Sequence, residues 1–405
     1  MNRFDPEPSF LARRRDQARA AALSMPLPDR SGHRFRFTDA AALLPAGGIE
    51  AALQAAGAAW PVRVELPDEA RRAGVTALSF GEALPAAGGL LEEHLGRLAG
   101  DGDPLLALNL ASFAGGTVIR VPEGVRLAGP IRLEARPEAP AGTVASGRTL
   151  LWIGAGAEAT VLEDADLGSG FASTVTEAVL GDGATLLHAR FETAAKGTSL
   201  FSRSAYEVGR DASLTHAHVL LPAGRVKAEA APVLSRPGAR SAGLVLALAG
   251  GRARSDFRVV ADHAAGDTGS RVDYRAIALG RGRSAFTGLL RIREGAARSE
   301  AYEEARSLLL SRTAAADVLP ELEILNHDVR CTHGAAVAPV DEEALFYLRT
   351  RGLSRDQAES MLVEGFVEPV ASRLPSGELA DRARERLRSE LAAARTGQGG
   401  APGEA

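Results

Sequence analysis

The chain reads as a mainly β protein, a parallel β-helix flanked by helical regions, and three observations point there. Short alternating apolar runs crowd residues 105–338. A glycine-bearing turn recurs among them at near-constant spacing. Amphipathic helical patterns stand at both ends. Composition agrees. Hydrophobic residues at 45% can fill a large core, while 5% aromatics with 44 Gly and 21 Pro suit tight turns and small side chains.

Residues 1–104 read as a mixed, mainly helical N-terminal region. "PSFLARRRDQARAAALS" at 8–24 predicts a basic amphipathic helix with Ser9 as N-cap and an apolar stripe starting at Phe10 and Leu11. Pro26, Pro28 and Gly32 break the next stretch into a loop. Val62-Arg63-Val64-Glu65-Leu66 is the one strand-like run before residue 100.

From 105 to 338 the character is that of strands: "GTVIRVPEGV", "TLLWIGAG", "ATLLHARFE", "SLTHAHVLL" and "SDFRVVADH" alternate and are bounded by Gly, Asp or Pro. The recurring turn starts at Gly154, Gly181 and Gly209, 27 and 28 residues apart, with looser copies at Gly250 and Gly280. A coil that cannot cover its own apolar face must stack on the next, which makes this spacing a solenoid signature. A β-sandwich with similar turns is the alternative, and the regular spacing favours the solenoid.

Residues 339–396 return to helical patterning. Asp341 caps a helix through Arg349, with Gly352 at its C′ position. Ser354 and Gln357 form an S-x-x-Q box that opens a second helix, with Ala358, Met361, Leu362 and Phe366 on one face and Pro369 as its stop. A third, over about 377–395, places Leu379, Ala383, Leu387 and Leu391 at helical spacing. The end, 397–405, reads as a disordered tail.

Chemistry is sparse. No G-x-x-x-x-G-K-[ST], H-E-x-x-H, G-x-S-x-G or C-x-x-C occurs, and "GRGRSAF" at 280–286 reads as a solenoid turn. The net charge of −4 gives no general pull toward nucleic acid or anionic lipid. With no apolar leader and no long apolar run, the cytoplasm is the expected location and no membrane partner is expected. The single cysteine, Cys331, stands two residues before His333 in "HDVRCTHGAAV". In a strand the two share a face with Val329, while Arg330 and Thr332 point the other way. Thiolate and imidazole suit iron or zinc, yet two ligands are half a site. A small buried thiol beside an ordinary histidine is the plain alternative, and it stays open here. His216 and His218 repeat the i, i+2 spacing without a thiol or carboxylate beside them and read as structural; His263 reads as part of a polar pair with Asp262 at a turn.

Residues 319–366, "LPELEILNHDVRCTHGAAVAPVDEEALFYLRTRGLSRDQAESMLVEGF", resemble the C-terminal signature of the SufB/SufD family of iron–sulfur cluster assembly proteins. "SEAYEEARSLLLS" (299–311), "VVADHAAGDTGSR" (259–271) and "NLASFAGGTVIRVPEGVRLAGPI" (109–131) resemble further family stretches, and "LPDRSGHRFRFTD" (27–39) a thinned version of another. "CTHG" at 331–334 is closer to the SufD branch than to SufB. The resemblance implies a right-handed parallel β-helix and a non-catalytic scaffold subunit working with a SufB-like chain and a SufC-like ATPase. Self-association as a homodimer stays open. The resemblance also implies iron or cluster handling by Cys331 and His333 at the SufB interface, with no cofactor held by this chain alone and a transient iron or cluster shared with SufB. It assigns SufC contact to the C-terminal helices, hence to Leu345, Phe346, Tyr347, Arg349, Arg351, Met361 and Phe366. The sequence departs from the family at Glu303, where a glutamine is usual, at Leu319 for a lysine, and at His327 for an aspartate.

Overall fold

In the computed structural model, residues 7–137, 142–374 and 377–398 are described. Two long sheets, ten- and nine-stranded among these residues, face each other, and the chain alternates between them strand by strand. Each pair of strands is one coil, and about eight coils stack into a β-solenoid flanked by N- and C-terminal helices. Pairing within the stack is parallel, so Glu158, Thr185, Ser213, Arg240 and Gly269 fall in register on successive coils. Two antiparallel strands of the N-terminal region close the first coil: Val62–Glu65 on Ile131–Ala135, and Thr76–Ser79 on Gly115–Val121.

The recurring turn does what its spacing predicts. Gly156, Gly183 and Asp211 occupy its equivalent position in the left-handed region, at φ of 64°, 68° and 54°. The turns stack by hydrogen bonds, Gly156 N–H to Asp182 O at 2.8 Å and Gly183 N–H to Arg210 O at 2.7 Å. Gly181 is needed for a different reason: a Cβ there would meet the backbone nitrogen of Ala155 at 2.7 Å.

The interior alternates small aliphatics with a file of rings. His188, Tyr206, His216, His218, Phe257 and Phe286 stand one after another, with neighbouring centroids 4.9–6.5 Å apart. His216 and His218 are fully buried, in keeping with the structural reading. His263 is buried too, but its partners are Thr268 and Ser270, at 2.7 and 2.8 Å; Asp262 pairs with Arg293 instead.

The N-terminal region covers the ten-stranded sheet through Phe35, Leu43, Leu105 and Leu108 packed on Phe171, Val175 and Phe201. "RSGHRFRF" supplies the pin: Arg34 donates bidentately to Glu229 at 2.7 and 2.6 Å and to Asp103 at 2.7 Å. A second pin is Arg148, bonded to Glu177, Asn109 and the Ala99 carbonyl. The first helix runs Ser9–Ser24, but Ser9 is its first residue and Pro8 holds the N-cap position, with no side-chain cap. A proline there presets φ for entry, so the serine oxygen is not needed.

The C-terminal helices cover the nine-stranded sheet. Asp341 and the Ser354/Gln357 box cap as expected. Two details differ. Helix Arg355–Ala371 continues two residues past Pro369. Its buried face is Ala358, Val363, Val367 and Val370, with Phe366 half-buried beside them; of the apolar face expected from sequence, Met361 lies outside, because the Val residues stack on the sheet. Leu379, Ala383, Leu387 and Leu391 are all buried, and that helix extends to Gln398. Residues 399–405, expected as tail, lie outside the described residues.

Candidate functional site

The last coil consists of Ala315–Ile324 and Val329–Pro339, and each strand is the outermost of its sheet. Every earlier strand of the stack is paired on both sides; these two present a row of unpaired backbone groups. Leu322, Ile324, Leu325 and Val337 are exposed on this end. Cys331 and His333 lie on the outermost strand, in register with Ala301 and Glu303.

The alternation expected from sequence holds. Val329 and Cys331 pack inward against the cluster of Ala261, Leu290, Ile292 and Ala301. Arg330 and Thr332 line the outer groove with Tyr302. Cys331 is half-buried and His333 is exposed. Burial pushes the Cys331 thiol above its ordinary value, a backbone hydrogen bond with Ala301 opposing part of that shift. The thiol form therefore dominates at neutral pH, and a metal or a cation must draw off its proton before it can act as a ligand. Among the described residues no group of three His, Cys, Asp or Glu side chains is arranged to hold a metal ion.

In the sequence Glu303 stands out only as a glutamate where the family's usual residue is glutamine. It is wholly buried under the last coil, neither carboxyl oxygen has a partner, and burial pushes it up to about 8. Its carboxyl fills the room that Gly288 leaves on the facing sheet: a Cβ on Gly288 would meet Glu303 Oε2 at 1.8 Å. The signal was legible as alternation, since Ala301, Glu303 and Ala305 must share the inner face.

The helix residues expected to meet a partner divide in two. Phe346, Tyr347 and Met361 are 69%, 57% and 58% exposed, and Arg349 and Arg351 are exposed beside them. Leu345 is buried, and Phe366 is half-buried on the sheet-facing cluster with the Arg275 guanidinium 5.9 Å from its ring.

Residues 136–366 match the family model described as the SufBD core domain of SUF-system FeS cluster assembly, more than half of the chain. The chain belongs to the SufBD family. This SufBD-family chain is 37% identical over 132 residues to an iron–sulfur cluster assembly SufBD family protein of Mycobacterium leprae, 33% of this chain and 15% of the relative. It is 34% identical over 119 residues to SufD of Escherichia coli, 29% of this chain and 28% of that protein. It is also 34% identical over 143 residues to SufB of Bacillus subtilis, 35% of this chain and 31% of that protein. The matched stretches thus span a third or less of these relatives, and the similarity does not separate SufB from SufD. Family membership places the chain among the SUF-system iron–sulfur cluster assembly proteins. Among the described residues no helix is long and apolar enough to cross a membrane.

Proposed function

We propose that this SufBD-family chain is a SufD-like, non-catalytic scaffold subunit that pairs through its open solenoid end with a SufB-like chain and through its C-terminal helices with a SufC-like ATPase. One observation carries the reading: the only cysteine and His333 stand on an edge strand unpaired among the described residues, with exposed apolar neighbours that suit a second protein surface. An open parallel edge of this length is a ready template for a second chain to extend or cover. That partner supplies the rest of the ligand set that Cys331 and His333 begin. Iron, sulfide or a nascent cluster is cargo at this seam.

Nucleotide binding by the ATPase is the drive. Closure of two SufC-like subunits moves the paired C-terminal helices, and the seam shifts between a closed and an open arrangement. The free energy available is the difference in the ATPase's affinity for the two.

The test is co-expression with SufB- and SufC-like chains. Co-purification is expected, and His333→Ala should leave the complex assembled but unable to mature client proteins. A His333→Ala complex that matures clients at the wild-type rate removes the site. A chain that remains a homodimer in light scattering, with the SufB-like chain present in excess, supports instead a SufC-binding module without a role in cluster handling.

A further inference from the structure

The turn "GRGR" at 280–283 is more than solenoid punctuation. Arg225, Arg254 and Arg283 open three successive strands of the ten-stranded sheet and stand in direct register. Adjacent strands lie about 4.8 Å apart, so the three cations are stacked at close range. Arg252 and Arg281 extend from the preceding turns two residues earlier, and all five side chains are exposed. Like charges directly opposite on neighbouring strands are destabilising.

Many arginines elsewhere on these sheets are matched, although Arg240 and Arg258 have no ion pair among the described residues. Arg203 meets Glu229, Arg291 meets Glu323, Arg293 meets Asp262 and Arg298 meets Asp267, at 2.6–2.9 Å. Among the described residues Arg252, Arg254, Arg281 and Arg283 have no carboxylate within ion-pair distance, and Arg225 donates only to the Ala42 carbonyl. A chain of net charge −4 thus concentrates unmatched cations in one place.

Two hollows meet there. One, of about 440 Å³, is lined by Arg252, Arg254, Arg281, Arg283 and Thr313 and by no carboxylate. The other, of about 290 Å³, shares Arg254 and Arg283 and adds Arg30 and Arg225 together with Phe37, Leu43 and Val226. Three aspartates also line it. Asp256 is neutralised by Lys227, Asp39 accepts the Ala41 N–H, and Asp317 is exposed at its rim. The carboxylate-free hollow is therefore the place for anionic oxygens, and the mixed one for an uncharged group.

We propose that the arginine grid binds the phosphate chain of a small polyphosphate ligand of the nucleoside di- or triphosphate class, with the organic part toward Phe37 and Leu43. Planar guanidinium forks match phosphate oxygens in pairs. The stacked register offers several forks at a repeat that an extended phosphate chain can follow. No lysine or catalytic carboxylate faces the hollow, so the assignment is binding and not hydrolysis.

The experiment is calorimetric titration of the full chain with inorganic tripolyphosphate and with ADP at fixed ionic strength, with sulfate as control. Binding in the micromolar range is expected, weakening as salt rises. Arg254→Ala/Arg283→Ala should weaken it at least tenfold, while Arg240→Ala, an exposed arginine on the other sheet, should not. Circular dichroism of the exposed-site variants checks the fold. Binding of both probes supports a nucleotide; binding of tripolyphosphate alone supports free polyphosphate as the source of the same chemistry. Binding of neither, equal competition by sulfate, or an unchanged double variant overturns the site. So does capture of polyglutamate without tripolyphosphate, which would make the grid a docking face for an acidic protein.

Discussion

Glu303 stands in register beneath His333, one coil further in, and its carboxyl lies in the space left by Gly288 with no hydrogen-bond partner. An ionised carboxylate is too costly in such a place, and burial raises its pKa from 4.5 to about 8. The end of the solenoid thus carries an uncharged acid directly under the strand that bears the thiol and the imidazole.

Replacing Glu303 by Gln should reveal what that burial costs. The folded chain holds a proton that the unfolded chain releases above pH 4.5. Stability is therefore whole below pH 4.5 and falls as pH rises toward 8, by on the order of 3–5 kcal/mol. Glu303→Gln removes the titrating group. Unfolding free energies of the two proteins from urea titration should nearly coincide at pH 5 and separate in favour of the variant by about 3 kcal/mol or more at pH 9. A constant gap at both pH values would show that Glu303 is not held protonated.

The opposite limb belongs to the buried imidazoles. His216 is lowered to about 3 by burial, with His188 nearby adding to it, and His218 is lowered well below its ordinary value by burial and by His216. A histidine whose folded pKa is depressed excludes a proton that the unfolded chain accepts, so its contribution is present above pH 6.5 and lost as pH falls. The buried carboxylates Glu163 and Glu229 are held low by their arginines and take up protons in the unfolded chain only nearer pH 4.5. Loss of stability between pH 6.5 and 5 is thus chiefly the signature of the imidazoles. His218→Leu should flatten that part of a stability–pH curve; an unaltered slope would place the titration elsewhere.

Arg34 joins two layers of the molecule. It is the main cation on Glu229, which is wholly buried and also bonded to Arg203. Removing one partner of such a pair leaves a buried charge short of compensation, at a cost of about 3–5 kcal/mol. Arg34→Ala should lower the urea midpoint accordingly and expose residues 25–45 to limited proteolysis at concentrations the wild type resists. Glu229→Gln in the same background should recover part of the loss. If the single and double variants are equally stable, the pin is not electrostatic.

The solenoid could be read from the chain because its repeat is local: Gly154, Gly181 and Gly209 mark turns whose spacing equals one coil, and alternation within each strand assigns its faces. The caps at Asp341 and Ser354 were legible for the same reason, since the side chain and the N–H groups it receives lie within three residues. What escaped depends on distant pairing. Nothing near Arg34 announces Glu229, 195 residues away, and Glu303 becomes unusual only when Gly288 faces it. Met361 fits a helical apolar stripe as well as Val363 does; which one is buried is decided by the sheet beneath. Cys331 and His333 were legible as a pair, but their place at an open end required the count of coils above them, which is none among the described residues.

In the helices beyond the solenoid, adjacent residues differ sharply in burial. Leu345 is 1% exposed, whereas Phe346 and Tyr347 beside it are 69% and 57% exposed. Truncating Leu345 to Ala removes buried apolar surface and should cost about 2–4 kcal/mol. Truncating Phe346 and Tyr347 removes little that the folded chain has buried, so Phe346→Ala/Tyr347→Ala should keep its unfolding free energy within about 0.5 kcal/mol. At an interface the same two aromatic side chains would rank among those that carry most of the energy, at about 2 kcal/mol or more each. The double variant should therefore lose a SufC-like ATPase in a pull-down or titration by a factor of a hundred or more, with its melting curve unchanged. Retained ATPase binding would move the docking surface away from this helix. A melting curve that drops with the binding would instead show that the two rings support the fold.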